Sequence, residues 1–544
     1  MLKTLKNYPV LTICLFVAVM LLPNLDTLQV SIMEARNFIS AREMVLNDHW
    51  LLTTMNGEPR YQKPPLPTWL SAVSAIIFGV KSVFAMRLPA ILMVMAMASY
   101  MFFLSRSVLK GSAQSLINAL ILTTSLYVTL ITIEAPWDIF THGFMLIAIY
   151  HLYRLLQAKT VPWKNTILAG VFLGLSLLSK GPIAVYALLL PFLIAYGFAI
   201  KYKQMKQKIM PFISIVLIAL VVGGWWFLYV RLADPVAFEA ITNDEAGKWG
   251  SYNTRPIYYY WSFFVQSGIW TIPAFISLLY PYMKGRVNNF KAYKFSFLWT
   301  IIAVILLSLV PTKKSRYLMP VLIPLAFNIG FYIDYLFRKF KNMKDSRETL
   351  PVYFNFGLIG TIALAAPLAI FYIFKSELQA YWVSFLLFSI VVITIGLAIL
   401  FQLYRKRIKN VFLLTILFFA SLYIFGLPLS KAFRSEEFTS IAQLKKENDL
   451  RGLKLYALNY VAPESIWQYG GMLPQINRND AGYIFPLENK FGILFNAMSP
   501  TEKEMITSKY NIRDMGVYNL NQAPKSSKQY NERLLNSFYI LTKK

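Results

Sequence analysis

One cysteine, Cys14, and three histidines, His49, His142 and His151, are all the cysteine and histidine that 544 residues offer. An intrachain disulfide is excluded, and a metal site built on cysteine or clustered histidine is equally out of reach. Acidic residues are scarce too: 26 Asp and Glu stand against 54 Lys and Arg, a formal net charge of +28. In a soluble chain that surplus would point to nucleic acid. Here the cations fall between long apolar runs, so membrane topology accounts for them and no nucleic-acid partner is expected. What the chain has in excess is apolar surface. It is 57% hydrophobic and 16% aromatic, with a mean hydropathy of +0.49, beyond the ~45–50% apolar share of soluble domains.

Apolar runs of about 18 residues or more read as spanning helices. The candidate spans fall roughly at 8–24, 85–105, 113–133, 139–153, 165–179, 182–200, 210–230, 258–282, 295–310, 317–336, 353–374, 382–403 and 411–429, thirteen in all. No small-x-small cleavage site follows the first run, which therefore reads as an uncleaved helix. With the N-terminus cytoplasmic, segments 1–7, 106–112, 154–164, 201–209, 284–294, 338–347 and 405–409 hold 24 Lys and Arg. The opposite side holds 13 over a greater length. This asymmetry sets the orientation in the membrane.

An odd number of spans places 430–544 outside the cytoplasm, in the periplasm if the cell is Gram-negative. Composition turns polar there, with strand-like runs at 453–461, 483–487 and 491–495 and a helical stretch at 436–447. The expected fold is a polytopic α-helical membrane protein. Residues 1–429 form the membrane domain that carries the chemistry, and 430–544 a small soluble α/β domain. The first outer loop, 25–84, holds an amphipathic stretch, 31–45, suited to lying along the membrane surface. It also holds a short apolar stretch, 66–80, whose Pro67 suits an interfacial or re-entrant helix.

A long outer loop that hugs the membrane is a natural place for a site facing lipid-borne substrates. An anionic headgroup there would call for cations and hydroxyl donors, and an acceptor for a carboxylate as base or orienting group. The first loop supplies Met33-Glu34-Ala35-Arg36, then Ser40-Ala41-Arg42-Glu43-Met44. It ends on Asn56-Gly57-Glu58-Pro59-Arg60-Tyr61-Gln62-Lys63-Pro64-Pro65-Leu66-Pro67-Thr68-Trp69. These three linked motifs resemble the first outer loop of the aminoarabinose transferases that modify lipid A. They also resemble that of the protein O-mannosyltransferases, and both belong to the GT-C class of membrane glycosyltransferases. The likeness continues through Asp138 in Pro136-Trp137-Asp138 and through Leu178-Ser179-Lys180-Gly181-Pro182. It extends to Arg255-Pro256-Ile257-Tyr258-Tyr259-Tyr260 and to Lys314-Ser315-Arg316-Tyr317-Leu318-Met319-Pro320. Every one of these falls on the non-cytoplasmic side of the topology drawn from charge alone.

The resemblance implies a sugar transferred from a polyprenyl-phosphate carrier, with inversion, to lipid A or another envelope glycolipid, an aminoarabinose-like sugar being among the candidates. It implies that Lys63, Arg255 and Tyr317 contact the carrier phosphate, with Glu34 and Asp138 as the catalytic acids near sugar and acceptor. Met33 stands where the family has a leading Asp, so Glu34 is the only carboxylate of that pair. An anionic phosphate acceptor has no proton to lose near pH 7 and needs no strong base. Gln62 stands where relatives have Glu, which weakens a metal site there; no metal ligand is assigned, and a divalent ion as cofactor stays open.

Duller roles exist for each residue. Lys63 suits a snorkelling lysine; Arg255, Lys313, Lys314 and Arg316 suit anionic lipid. Asp138 suits a helix N-terminus, Trp225 and Trp226 an aromatic belt, and His142 and His151 packing. Glu34 and Arg42 form a weak pair across two turns. Protein O-glycosylation is the runner-up function. A lipid-linked sugar flippase or transporter is a third reading, against which stand the absence of an internal repeat and of charge at mid-membrane. A non-catalytic envelope scaffold is a fourth.

Overall fold

The computed structural model describes residues 7–134, 136–248, 251–479 and 482–544. Contacts divide the chain into two compact units. The first comprises Met1–Leu25, Tyr61–Pro67 and Arg87–Leu429, the second Asp26–Arg60, Thr68–Met86 and Ser430–Lys544.

Among the described residues, eight helices are long and apolar enough to cross a membrane, and a ninth if the bent pair Ser112–Thr123 and Leu126–Ile133 is one span. Length and composition thus carry eight or nine of the thirteen expected spans. Pro9–Leu21 and Val185–Ala199 are apolar but shorter. One expected span is replaced outright. The run 258–282 is broken into the 3-10 turns Ile257–Tyr260 and Phe263–Trp270 and the short helices Thr271–Ser277 and Tyr280–Lys284. The break is at Gly268, whose φ of +67° leaves the helical region. Apolar length alone does not separate such a run from a helix.

The spans fall into central and peripheral sets. Trp137–Gln157 and Ser315–Asn342 have 89% of their apolar windows buried, against 28% for Met205–Ala233, Ser346–Ile373 and Gln379–Tyr404. Peripheral helices turn Leu220, Val221, Leu228 and Leu397 outward, as lipid-facing surfaces do. Lipid gives helices no hydrophobic reason to associate, so close packing must hold them. Helices Trp163–Lys180 and Met205–Ala233 meet through glycine: a Cβ on Gly223 would come within 2.6 Å of the Gly174 carbonyl oxygen. That contact fixes the helix at whose C-terminus Lys180 stands.

The second unit is built on a four-stranded sheet in the order Leu455–Ala457, Lys490–Phe495, Leu535–Lys543, Tyr510–Asn519, its first pair parallel and the others antiparallel. The strand-like run 453–461 is shorter than expected, and the run 483–487 pairs only through Gly482–Tyr483. The helical stretch 436–447 is corrected to Leu444–Leu450. Helix Ile32–Asn47 is buried on nearly all sides rather than amphipathic. Phe38, Ile39 and Met44 join Trp467, Leu494 and Phe538 in one core. Its polar side chains go inward because they find partners there. The Arg42 guanidinium donates to the carbonyls of Ile466, Trp467 and Gly471 at 3.1–3.3 Å, and burial lowers its pKa to about 10. Glu43 accepts from Thr54 Oγ1 at 2.5 Å and from the Asn56 amide at 2.6 Å.

Candidate active site

The N-terminus of the central helix Pro136–Gln157 carries Asp138 in its first turn, and the antiparallel neighbour Trp163–Lys180 ends on Lys180. Both residues are nearly sealed from solvent, with side-chain exposures of 3% and 9%, and Lys180 Nζ donates to Asp138 Oδ1. Each also sits where the helix dipole favours its charge, acid at an N-terminus and base at a C-terminus, worth about 0.3–1 kcal/mol apiece. The pair makes a further contact: Lys180 Nζ lies 5.3 Å from the centre of the Tyr317 ring. Arg316 and His142 lie within electrostatic reach of the Asp138 carboxylate.

Tyr317 belongs to the 3-10 turn Ser315–Leu318 that opens the other central helix, Met319–Lys339. The loop before it is stitched to the segment holding Arg255. Thr254 and Thr312 form an antiparallel bridge, and the Arg255 amide donates to the Pro311 carbonyl at 3.1 Å. The Tyr260 hydroxyl donates to the Lys314 carbonyl at 3.1 Å, and Gln266 Nε2 to the Ser315 carbonyl at 3.0 Å. This double seam holds Arg255 and sets Lys314, Arg316 and Tyr317 within reach of the Asp138–Lys180 pair.

The cations differ in what they are free to do. Lys313 turns its ammonium onto the carbonyls of Val310 and Arg255, at 2.6 and 3.0 Å, so it clamps the seam. Arg255 is exposed, its guanidinium carbon 5.9 Å from the centre of the Tyr259 ring. Lys314 lies over the Tyr252 ring at 4.6 Å. Burial, and then repulsion from Arg316, lowers its pKa.

The remaining sequence candidates stand elsewhere in the chain. Lys63 is half-buried in the first unit, in a segment anchored by Tyr61, whose hydroxyl donates to Asp234 Oδ2 at 2.8 Å. Trp226 is corrected from belt to core. It is fully buried, edge-on to Tyr61 at 6.4 Å, whereas Trp225 is 40% exposed. Glu34 lies in the second unit, fully buried at the third position of helix Ile32–Asn47. Its Oε2 accepts from the Ser31 amide at 2.9 Å, closing a capping box. Sequence reasoning gave no role to Lys180, although its Lys-Gly-Pro turn was noted, and none to Gln266. Among the described residues no group of three or more His, Cys, Asp or Glu could hold a metal ion.

Comparison with known proteins extends this picture. Residues 62–226 match the model of the dolichyl-phosphate-mannose-protein mannosyltransferase family. That stretch includes Lys63, Asp138 and Lys180 but not Arg255 or Tyr317. An uncharacterized protein of Aquifex aeolicus is 25% identical over 60% of the chain and 73% of its own length. An undecaprenyl phosphate-alpha-4-amino-4-deoxy-L-arabinose arabinosyl transferase of Shewanella sediminis is 24% identical over 53% of the chain, and one of Proteus mirabilis 25% identical over 60%. The chain spans 52% and 59% of the length of those two transferases. In three dimensions the chain is similar to the crystal structure of ArnT from Cupriavidus metallidurans bound to undecaprenyl phosphate. The TM-score is 0.69 at 14% identity, with 98% of each chain covered. This chain is thus similar to membrane glycosyltransferases of the aminoarabinose-transferase and protein-mannosyltransferase type, in sequence over part of its length and in fold over nearly all of it.

Proposed function

We propose that this protein takes a sugar from a polyprenyl-phosphate carrier and transfers it to lipid A or another envelope glycolipid on the periplasmic face of the bacterial inner membrane. The observation that carries the reading is the placing of Lys314, Arg316 and Tyr317 within reach of a buried Asp138–Lys180 pair, at the ends of the two most buried spans and on a seam that also holds Arg255. Cations and a phenol there suit a carrier phosphate whose charge grows as the glycosidic bond breaks. Preorganised donors in a water-poor site stabilise that charge without reorganising. Lys63, Arg255 and Tyr317 are assigned to the carrier phosphate.

Asp138 is assigned to the sugar or acceptor side. Its ion pair with Lys180 keeps it an anion able to orient a hydroxyl, or to accept its proton as the acceptor attacks the anomeric carbon. Direct displacement inverts that carbon and sends the electron pair to the carrier phosphate. Glu34 is retained as an acid of the first loop, with its capping role as the competing account. The N-terminus is placed in the cytoplasm and residues 430–544 in the periplasm. The match to a protein-mannosyltransferase model supports a second reading, in which a protein is the acceptor.

The test is mass spectrometry of lipid A and of total glycoprotein from cells with and without the protein, complemented by wild type, Lys63→Ala or Asp138→Asn. Loss of one sugar mass from lipid A in the deletion, restored by wild type alone, is the expected result. Loss from protein instead selects the second reading. Unchanged glycans sink both, and full rescue by the variants sinks the assigned site.

A further inference from the structure

A cavity of about 350 Å³ opens beside the cationic seam, lined by eight residues of the first unit. Five of them are polar: Tyr127, Tyr259, Ser262, Gln266 and Ser315. Two tie it to the phosphate-binding residues. Tyr259 has the Arg255 guanidinium at its ring and its hydroxyl 3.1 Å from Ser315 Oγ, and Ser315 directly precedes Arg316 and Tyr317 in the chain. The volume lies in the range of small-ligand pockets and has room for one sugar ring. Gln266 gives its amide nitrogen to the Ser315 carbonyl, while its Oε1 is buried without a partner. A buried acceptor left open is uncommon and calls for a donor.

The chemistry of the lining is as telling as its position. None of the eight residues is acidic, and the neighbouring seam carries Arg255, Lys314 and Arg316. Neutral dipoles and two phenol rings suit hydroxyl groups and the C–H faces of a sugar. A sugar ammonium would find no carboxylate in the lining and would enter against like charge, since the neighbouring Asp138 is already paired with Lys180.

We infer that this cavity holds the sugar of the lipid-linked donor, that Gln266 Oε1 accepts from one of its hydroxyls, and that the site selects a neutral hexose over an amino sugar. The inference rests on the carrier-dependent transferase reading above.

Binding to the purified full-length protein separates the two claims without an acceptor. Three probes are compared: undecaprenyl phosphate, undecaprenyl-phosphate-linked glucose, and undecaprenyl-phosphate-linked 4-amino-4-deoxy-arabinose. Wild type is expected to bind the glucose lipid at least tenfold more tightly than the amino-sugar lipid. Gln266→Glu, which puts a carboxylate in the lining, is expected to remove or invert that preference. Should that variant not fold, Ser262→Asp puts a carboxylate at a second position of the same lining. Equal or tighter binding of the amino-sugar lipid by wild type overturns the inference and leaves the carrier reading standing. An unaltered preference in the acidic variants overturns the assignment of this cavity. No binding of any of the three lipids overturns the transferase reading, and the inference with it.

Discussion

At the scale of single residues, a buried ion pair is judged by what each partner would do alone. Asp138 and Lys180 face each other with side-chain exposures of 3% and 9%, so removing one leaves an uncompensated charge in a water-poor setting. Lys180→Met is expected to destabilise the protein by about 3–5 kcal/mol, whereas the double variant Asp138→Asn with Lys180→Met recovers most of that loss. Thermal unfolding of purified protein checks both. If Asp138 serves the reaction, the double variant melts near wild type yet transfers no sugar, a separation a purely structural pair would not give. Lys314 makes a second, pH-dependent case. Its pKa is lowered, first by burial and then by Arg316, and it attracts phosphate only as a cation. Carrier affinity should therefore be full at neutral pH and fall as pH rises through this lowered pKa, before an ordinary lysine would lose its proton. Lys314→Arg, which stays charged across that range, should flatten the profile. A profile of undecaprenyl phosphate binding that is identical in both proteins rules out this contribution.

At the scale of elements, local signals were legible and distant partners were not. Asp138, Arg255 and Tyr317 lie in short motifs that single them out as candidates, whereas Lys180, which pairs with Asp138, and Pro311, which accepts from the Arg255 amide, are distant in the chain. Helix Ile32–Asn47 was legible as a helix, and the Ser31-x-x-Glu34 spacing could have announced its capping box. Its burial could not be read, because the carbonyls that accept from Arg42 are more than 420 residues away in the chain. The broken run 258–282 failed for a related reason: its breaking point is a glycine packed against Leu126, distant in the chain. A Cβ on Gly268 would meet Leu126 Cβ at 2.7 Å, and φ is +67°. Gly268→Ala is expected to cost about 1–3 kcal/mol, from backbone strain together with the clash. Pairing it with Leu126→Ala should relieve the clash but not the strain, so the melting temperature should recover only in part. Full recovery would assign the whole cost to the clash.

At the scale of the molecule, the tail 430–544 is not an independent appendage of the fold to which it is covalently joined. Its sheet and the helix Pro463–Tyr469 share a core with Phe38, Ile39 and Met44, all fully buried, and with Ala72 and Met86 from the second part of the first loop. Deleting 430–544 would bare those side chains, at about 1.5–3 kcal/mol for each large one. The same deletion would strip Arg42 of three carbonyl acceptors. A buried guanidinium without acceptors is expensive, since its charge then has neither water nor protein dipoles around it. A chain ending at Leu429 is therefore expected to accumulate poorly and to be cut by protease within 26–86, a region that stays intact in the full-length protein. Supplying 430–544 as a separate polypeptide should restore protection in proportion to its concentration, because noncovalent association would have to rebuild one shared core. A truncated chain that accumulates normally with 26–86 protected would mean the first loop folds without the tail, and the core described here would then be dispensable.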